Sequence, residues 1–261
     1  FNVPKKIARI RNQTYLDPAW SNLFSRSHLP IDVIISPELE VAKAVNQRLT
    51  VPGTTDAIPL AGGLLYLIGV MCDEGCPVVN TPLRQLPTLF PDLPVEIVCI
   101  QRQNQAIIPD ENSQMQIGDE VFFFVDVEHL RRAMSVFGHE EVEARRIVIM
   151  GGGNIGASLA TLVEEKNPGV RLKIIERNHE RAEKLSSEYE NIVVLEGDGL
   201  SRELLEESNI SRTETFIAVT NDDEANILGS LLSQQYGCER AITLINKSDY
   251  VPLVQNLGIA A

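Results

Sequence analysis

The chain has 261 residues, of which 44% are hydrophobic and 23% charged, so it is long enough for two globular units with separate cores. Its 36 acidic residues outnumber the 23 basic ones, and the net charge of −13 disfavours nucleic acid or an anionic lipid surface as a partner. The longest apolar run, residues 60–71, is too short and too rich in glycine to cross a hydrocarbon layer about 30 Å thick.

The N-terminal residues predict the end of a strand-and-helix unit. Residues 5–15 repeat the pattern of residues 240–250, an apolar strand followed by a polar turn and a tyrosine. The repeat indicates that a fifth strand and its following helix occur at both ends of the chain, as in a tandem duplication, with a chance match as the alternative. No cleavable signal pattern precedes the folded sequence. Because the chain opens at Phe1, without an initiator methionine and in the middle of a structured pattern, we expect it to be a fragment.

The next segment predicts a helix and then a small α+β module. Pro37 stands at the first position of a helix with one apolar face, which packs on its own domain or against a partner subunit. Residues 50–139 are rich in proline and glycine. Within them the sequence predicts strands at residues 64–70, 95–101 and 120–125 and a helix at residues 127–137.

From residue 145 onward, strands and helices alternate as in a doubly wound parallel sheet, which makes the fold class α/β and Rossmann-like. Short β-branched runs predict five buried strands, at residues 146–150, 171–176, 191–196, 215–220 and 240–246. The helices between them begin at residues that cap helix N-termini well, at Ser201, at Asn221 to Asp223, and at Ser248 with Asp249.

A glycine-rich loop, residues 151–156, follows the first of these strands and predicts a dinucleotide site. Gly151 permits the tight turn, Gly153 lets the backbone approach a pyrophosphate, and Gly156 lets the helix pack closely on the strand. Glu176 ends the next strand about 20 residues further on, where a carboxylate accepts hydrogen bonds from ribose hydroxyls. A structural turn followed by a surface glutamate is the alternative.

The sequence indicates neither a metal site nor a catalytic site. Cys72 and Cys76 have a C-x3-C spacing, but no second pair lies at zinc spacing, so we interpret the four cysteines as reduced thiols typical of a cytosolic protein. The sequence has no Tyr-x-x-x-Lys pair, and its four histidines fall outside the predicted strand ends. We therefore predict no catalytic residue, with an NAD-dependent dehydrogenase whose substrate site is unrecognised as the alternative.

Five motifs together resemble the TrkA family of bacterial potassium uptake, of the RCK/KTN type. They are residues 6–11, 151–156, 175–178, 197–198 and 216–227. The resemblance covers nearly the whole chain and implies a Rossmann-like sheet of the RCK N-terminal type beside a smaller α+β regulatory domain of the RCK C-terminal type. The implied domains are 1–22, the tail of a first nucleotide-binding domain; 23–49, a connecting crossover; 50–139, the regulatory domain; 140–144, a linker; and 145–261, a second nucleotide-binding domain.

The resemblance also implies a set of nucleotide-binding residues. They are Gly151, Gly153, Asn154, Ile155 and Gly156 at the phosphates, Glu176 at the ribose, Asp198 beside the adenine, Thr220 and Asn221 at the crevice, and Arg9 from the first unit. The position equivalent to Arg9 in the second unit is Leu244, so the resemblance does not carry that contact over to the second unit. Asp198, Thr220 and Asn221 could instead only cap the turn or helix that follows them.

The ligand that the resemblance implies is NAD or NADH, or ATP and ADP. Glu176 would repel a 2′-phosphate, which favours NAD over NADP. The resemblance further implies a homodimer or tetramer that lies in the cytoplasm, peripheral to the inner face of the membrane, and regulates a potassium-transport subunit of the Trk type. A nucleotide that binds one arrangement of such a protein more tightly than another shifts the population towards it.

Overall fold

The computed structural model describes residues 4–10, 31–103, 105–167, 169–257 and 259. The chain divides into a parallel-sheet unit, residues 1–46 and 144–261, and an antiparallel-sheet unit, residues 47–143. Residues 11–30 lie outside the described residues, and with them the last part of the N-terminal repeat and much of the expected tail and crossover.

None of the helices in the described ranges is both long enough and apolar enough to cross a membrane.

A short parallel strand pair opens the described part of the chain. β1 (Ile7–Arg9) pairs in parallel with β2 (Val33–Ile35). α1 (Pro37–Thr50) follows and begins at the predicted proline. Its acidic residues lie in the first turn and Arg48 lies in the last, so both ends complement the helix dipole.

The antiparallel-sheet unit has five strands in the order β3-β4-β7-β5-β6. Its elements are β3 (Thr54–Leu60), β4 (Leu65–Met71), α2 (Leu86–Leu89), β5 (Glu96–Arg102), β6 (Gln105–Ile107), β7 (Glu120–Asp126) and α3 (Leu130–Val136). The Phe123 ring stacks on Phe137 with centroids 4.5 Å apart, and both side chains are buried in the core. The predicted helix begins three residues late, because the Asp126 carboxylate accepts a hydrogen bond from His129 N (2.9 Å) and holds a turn.

β3 and β6 were not predicted, and their positions explain why. Both are edge strands of the sheet. Only Ala57 of β3 is buried, so the strand lacks the alternation of buried and exposed residues that identifies a half-buried strand. Pro59 also lies within it, and proline is tolerated mainly on edge strands.

The parallel-sheet unit contains the predicted α/β fold. Its further elements are β8 (Arg146–Met150), α4 (Asn154–Lys166), β9 (Arg171–Glu176), α5 (His179–Glu188), β10 (Val193–Glu196), α6 (Arg202–Glu207), β11 (Thr215–Ala218), α7 (Asp223–Gln235), β12 (Arg240–Thr243) and α8 (Val251–Asn256). Strands β8 to β12 are parallel, in the order β10-β9-β8-β11-β12. All four residues of β11 are buried, as expected for a central strand covered on both faces.

The last three strands are shorter than predicted. β10 begins at Val193 instead of residue 191, β11 ends at Ala218 instead of residue 220, and β12 ends at Thr243 instead of residue 246. The physical reason at β11 and β12 is competition from side chains on α7. The amides of Thr220 and Asn246 donate to the side chains of Asn226 and Asp223, not to a neighbouring strand.

Met150 ends β8 and fills a space that two glycines leave open. A Cβ at Gly199 would lie 2.4 Å from Met150 Sδ, and one at Gly229 would lie 2.7 Å from Met150 Cε. The methionine is 4% exposed. These contacts fix the last strand residue before the glycine loop.

Candidate functional site

A cavity of about 280 Å³ lies at the carboxyl ends of the parallel strands. It is found where the strand order reverses between β8 and β11, the usual position of ligand crevices in open α/β sheets. Six of the predicted nucleotide-binding residues line it: Gly151, Gly153, Glu176, Asp198, Thr220 and Asn221. The structure therefore brings together residues that are far apart in the sequence.

The other four predicted residues do not line this cavity. Asn154, Ile155 and Gly156 form the first turn of α4, and Arg9 is exposed at the end of β1. A Cβ on Gly156 would lie 1.9 Å from the Gly151 carbonyl oxygen, so this glycine is required for packing. Arg9 belongs to the separate two-strand sheet.

The glycine loop has the geometry of an anion site at a helix N-terminus. Gly151 has φ +108°, and a Cβ there would lie 3.0 Å from Thr220 Cγ2. At Gly153, which precedes α4, a Cβ would meet nothing within 4 Å. No side chain caps α4, and its first backbone bond runs from Ala157 N to Gly153 O (2.9 Å). The space beside Gly153, at the positive end of α4, is thus open.

Glu176 is held rigidly at the end of β9. Its Oε2 accepts a hydrogen bond from Gly152 N (2.8 Å), and its Oε1 accepts one from Asn178 N (2.8 Å). Arg181 Nη1 lies 3.5 Å from Oε1. The residue is only 6% exposed. Each carboxylate oxygen has more than one acceptor direction, so Glu176 can orient the loop and still accept a hydroxyl.

Asp198 and Asn221 are exposed at the cavity edge. Asp198 Oδ1 accepts a hydrogen bond from Leu200 N (3.0 Å), so this carboxylate does cap its own turn. The cap of α7 is Asp222, whose Oδ1 accepts from Ala225 N (3.0 Å), and not Asn221. Asn221 therefore lines the cavity without capping the helix.

Two buried residues behind the cavity, Asp223 and Asn226, were not predicted as site residues. Asp223 accepts hydrogen bonds from Asn246 N, Asn246 Nδ2 and Lys247 N at 2.8–3.1 Å. Burial opposes ionisation of Asp223, but these hydrogen bonds outweigh it and lower the pKa of the carboxyl below its usual value. The sequence feature that could have identified them is their spacing of three residues, which places both polar side chains on the same, inner face of α7.

An exposed cluster ties the start of α7 to the segment after β12. Glu224 Oε1 accepts hydrogen bonds from Lys247 Nζ (2.9 Å) and Tyr250 OH (3.0 Å). The Lys247 ammonium also lies 5.0 Å from the centre of the Tyr250 ring. Hydrogen bonding by Lys247 first, and also by the backbone and Tyr250, lowers the pKa of Glu224 to about 2.

This pKa predicts a pH-dependent contribution to stability. Because the folded-state pKa of Glu224 lies below its usual 4.5, the contribution is fully present above about pH 4.5 and is lost as the pH falls towards 2. We expect Lys247→Ala to lower Tm slightly at pH 7, by the small amount typical of an exposed ion pair, and the difference from the parent chain to shrink as the pH falls from about 4.5 towards 2. Thermal unfolding followed by circular dichroism measures this.

Lys166→Ala is the control, since Lys166 is exposed at the end of α4. Its effect on Tm should not follow the Glu224 titration. A Lys247→Ala effect that stays constant from pH 7 to pH 2.5 would contradict the assignment.

The four cysteines are free thiols, and the Cys72 and Cys76 sulfurs lie 3.8 Å apart. Within the described ranges, no group of three or more His, Cys, Asp or Glu side chains is arranged to hold a metal ion.

Comparison with known protein families gives the class of the chain. Residues 147–261 match the TrkA-N domain model and residues 67–138 match the TrkA-C domain model, so the chain combines a TrkA-C-type domain with a following TrkA-N-type domain. It is similar to the Trk system potassium uptake protein TrkA of Azorhizobium caulinodans, with 46% identity over 100% of this chain and 57% of the relative. The chain thus spans about half the length of the curated relatives it matches.

Solved structures show the same fold. The RCK domain of GsuK has a TM-score of 0.62 and 18% identity over 98% of this chain and 52% of that chain. A structure described as the GsuK channel bound to NAD has a TM-score of 0.62 and 19% identity over 98% and 43%. The structures confirm the fold class that the motifs predicted, and the domain matches and the TrkA relative confirm the resemblance.

Proposed function

We propose that this chain is the nucleotide-sensing part of a regulatory subunit, one that binds NAD or NADH, or ATP and ADP, and gates a membrane potassium-uptake transporter of the Trk type. The observation that carries the proposal is the cavity in which Gly151, Gly153 and Glu176 meet at the N-terminus of α4. The TrkA relatives support the role in potassium uptake, and the NAD-bound channel of the same fold supports the ligand.

The residues present fit an adenosine phosphate. The phosphates would lie against Gly153 and the first-turn amides of Asn154 to Gly156, with the ribose at Glu176 and the adenine beside Asp198. At about 280 Å³ the cavity is slightly smaller than the range of about 300–1,000 Å³ found for small-molecule sites. We expect this volume to hold the adenosine phosphate group that NAD, NADH, ATP and ADP have in common.

The proposed role is regulation and not catalysis. The polar groups that line the cavity are suited to binding: the backbone of the glycine loop, carboxylates, the Asn221 amide, and the guanidinium groups of Arg177 and Arg181. A nucleotide can shift the equilibrium between two arrangements of such a protein only by as much as its affinities for the two differ. The assembly that we propose is a homodimer or tetramer, peripheral to the inner membrane face through its transporter subunit.

We also propose the domain division 1–22, 23–49, 50–139, 140–144 and 145–261. The two matched family domains, residues 67–138 and 147–261, support it, and so does the separation of residues 47–143 as a compact unit.

The test is a titration of the purified chain with NADH, NAD, ATP and ADP by calorimetry, followed by co-purification with a Trk-type membrane subunit under each nucleotide. We expect binding of at least one nucleotide and a nucleotide-dependent change in the complex. Absence of both would overturn the proposal. Sustained NADH formation from NAD and a panel of small alcohols would favour a dehydrogenase instead.

Glu176→Ala should weaken nucleotide binding. A hydrogen bond to a charged group contributes about 1.5–3 kcal/mol, so Kd should rise about tenfold to a hundredfold. Glu196→Ala is the matched control, because Glu196 ends the neighbouring strand, carries the same charge and pairs with exposed His179 outside the cavity. Calorimetry with NADH measures both. An unchanged Kd, within about twofold, for Glu176→Ala would show that the carboxylate does not hold the ribose.

A further inference from the structure

Asn226 lies fully buried on α7, directly behind the cavity wall. Its Oδ1 accepts hydrogen bonds from Thr220 N (2.9 Å) and Thr220 Oγ1 (2.6 Å). Its Nδ2 donates to Thr220 O (3.0 Å) and Leu244 O (3.0 Å). An amide side chain offers two donor hydrogens and two acceptor positions, so the full capacity of Asn226 is used.

At the end of β11, these hydrogen bonds take the place of the ones that a neighbouring strand would make. Val219 N still donates to Met150 O (2.9 Å), but both the N–H and the C=O of Thr220 are bonded to Asn226. The bond to Leu244 O fixes the end of β12 at the same point. A buried backbone group without a partner is costly, so the course of the chain from Thr220 onward depends on this side chain.

The Thr220 hydroxyl points to Asn226 and carries only one proton. Its nearest acceptor is Asn226 Oδ1 at 2.6 Å, with Asp222 O at 3.2 Å, and it accepts a hydrogen bond from Asp222 N (3.2 Å). The hydroxyl is therefore engaged inside the protein, although Thr220 lines the cavity.

The wall that begins at Thr220 is packed against the glycine loop. A Cβ at Gly151 would lie 3.1 Å from Thr220 N and 3.1 Å from the carbonyl carbon of Val219. A shift of Thr220 would therefore change the space in front of Gly151 and Gly153, where the proposed phosphates lie.

We propose that Asn226 is a positioning residue of the nucleotide site, which holds the wall of residues 220–222 against the glycine loop. Thr220 acts on the nucleotide through this wall, and its hydroxyl makes no direct contact with the ligand. The inference rests on the proposed function, that is, on nucleotide binding in this cavity.

A double-mutant cycle on the full chain, titrated with NADH, tests the proposal. Thr220→Val keeps the branched shape without the hydroxyl and should weaken binding about fivefold to tenfold, whereas Thr220→Ser should bind within about twofold of the parent. In an Asn226→Ala background, Thr220→Val should add no more than about a further twofold, because the two residues act as one unit. An equal loss from Thr220→Val in both backgrounds would show a direct contact and overturn the proposal.

Ser230→Ala is the control for the loss of a buried hydrogen bond on the same helix. Ser230 is fully buried and bonds to Thr243 Oγ1 (2.5 Å), and neither residue lines the cavity. This variant should lose stability and keep its Kd within about twofold. A loss of affinity equal to that of Asn226→Ala would mean that any destabilisation of α7 impairs binding, and would overturn a specific role.

Amide exchange without nucleotide separates this inference from the proposed function. Asn226→Ala should speed exchange at Thr220 more than tenfold relative to Ser230→Ala, since Thr220 N loses its acceptor. Unchanged exchange would overturn the proposal. If Asn226→Ala does not fold, Asn226→Ser replaces it in both measurements. The parent chain could bind none of the four nucleotides while Asn226→Ala still speeds exchange at Thr220. That result would count against the proposed function and leave the positioning of the wall established.

Discussion

Gly156→Ala should destabilise the parallel-sheet unit by about 3 kcal/mol and abolish nucleotide binding. The added Cβ would lie 1.9 Å from Gly151 O and 3.1 Å from Gly151 C, both backbone atoms that no side-chain rotation can move away. The start of α4 would have to separate from the loop. Urea unfolding followed by circular dichroism measures the loss, with a separate transition allowed for each unit.

Gly153→Ala is the matched control, three residues before Gly156 and at the N-cap of the same helix α4. A Cβ at Gly153 meets nothing within 4 Å, and its φ of −69° is open to any residue. Its stability should stay within about 0.5 kcal/mol of the parent. Equal unfolding midpoints for the two alanine variants would contradict the packing role of Gly156.

Gly153→Val should leave the fold intact and weaken NADH binding by at least about a hundredfold, because a branched side chain fills the approach to the α4 N-terminus. The open space beside Gly153 is the reason that this change affects binding and not folding. Calorimetry gives the affinity, and circular dichroism gives the fold.

Gly169→Val is the control for this change, because Gly169 also has open space around its Cβ position and lies outside the cavity. It should bind NADH like the parent. Normal binding by Gly153→Val would show that the phosphate does not approach the loop at this residue.

The glycine loop could be predicted from sequence because its requirements are local. Position 151 requires a positive φ. Position 156 requires a residue without a Cβ, because α4 packs there against the carbonyl of Gly151, five residues earlier in the chain. The sheet could be predicted for a similar reason, since the central strands are short and apolar on both faces. Glu176 follows from its position at the end of the second strand.

The role of Asn226 could not be predicted, because it depends on contacts across two strand ends. Thr220 looks like the last residue of a strand in the sequence, but its backbone is bonded to Asn226 on α7. A pattern of hydrophobic residues does not show which side chain takes the amide at a strand end. For the same reason the sequence could not show that Arg9 lies on a separate two-strand sheet.

The packing of Met150 has a consequence for how related chains differ. Its side chain occupies the volume that Gly199 and Gly229 leave free, so these three positions share one space although they lie on three different segments. We expect them to vary as a set: an alanine at 199 or 229 should accompany a shorter residue at 150. The pair Met150→Val and Gly199→Ala should likewise be tolerated better than Gly199→Ala alone.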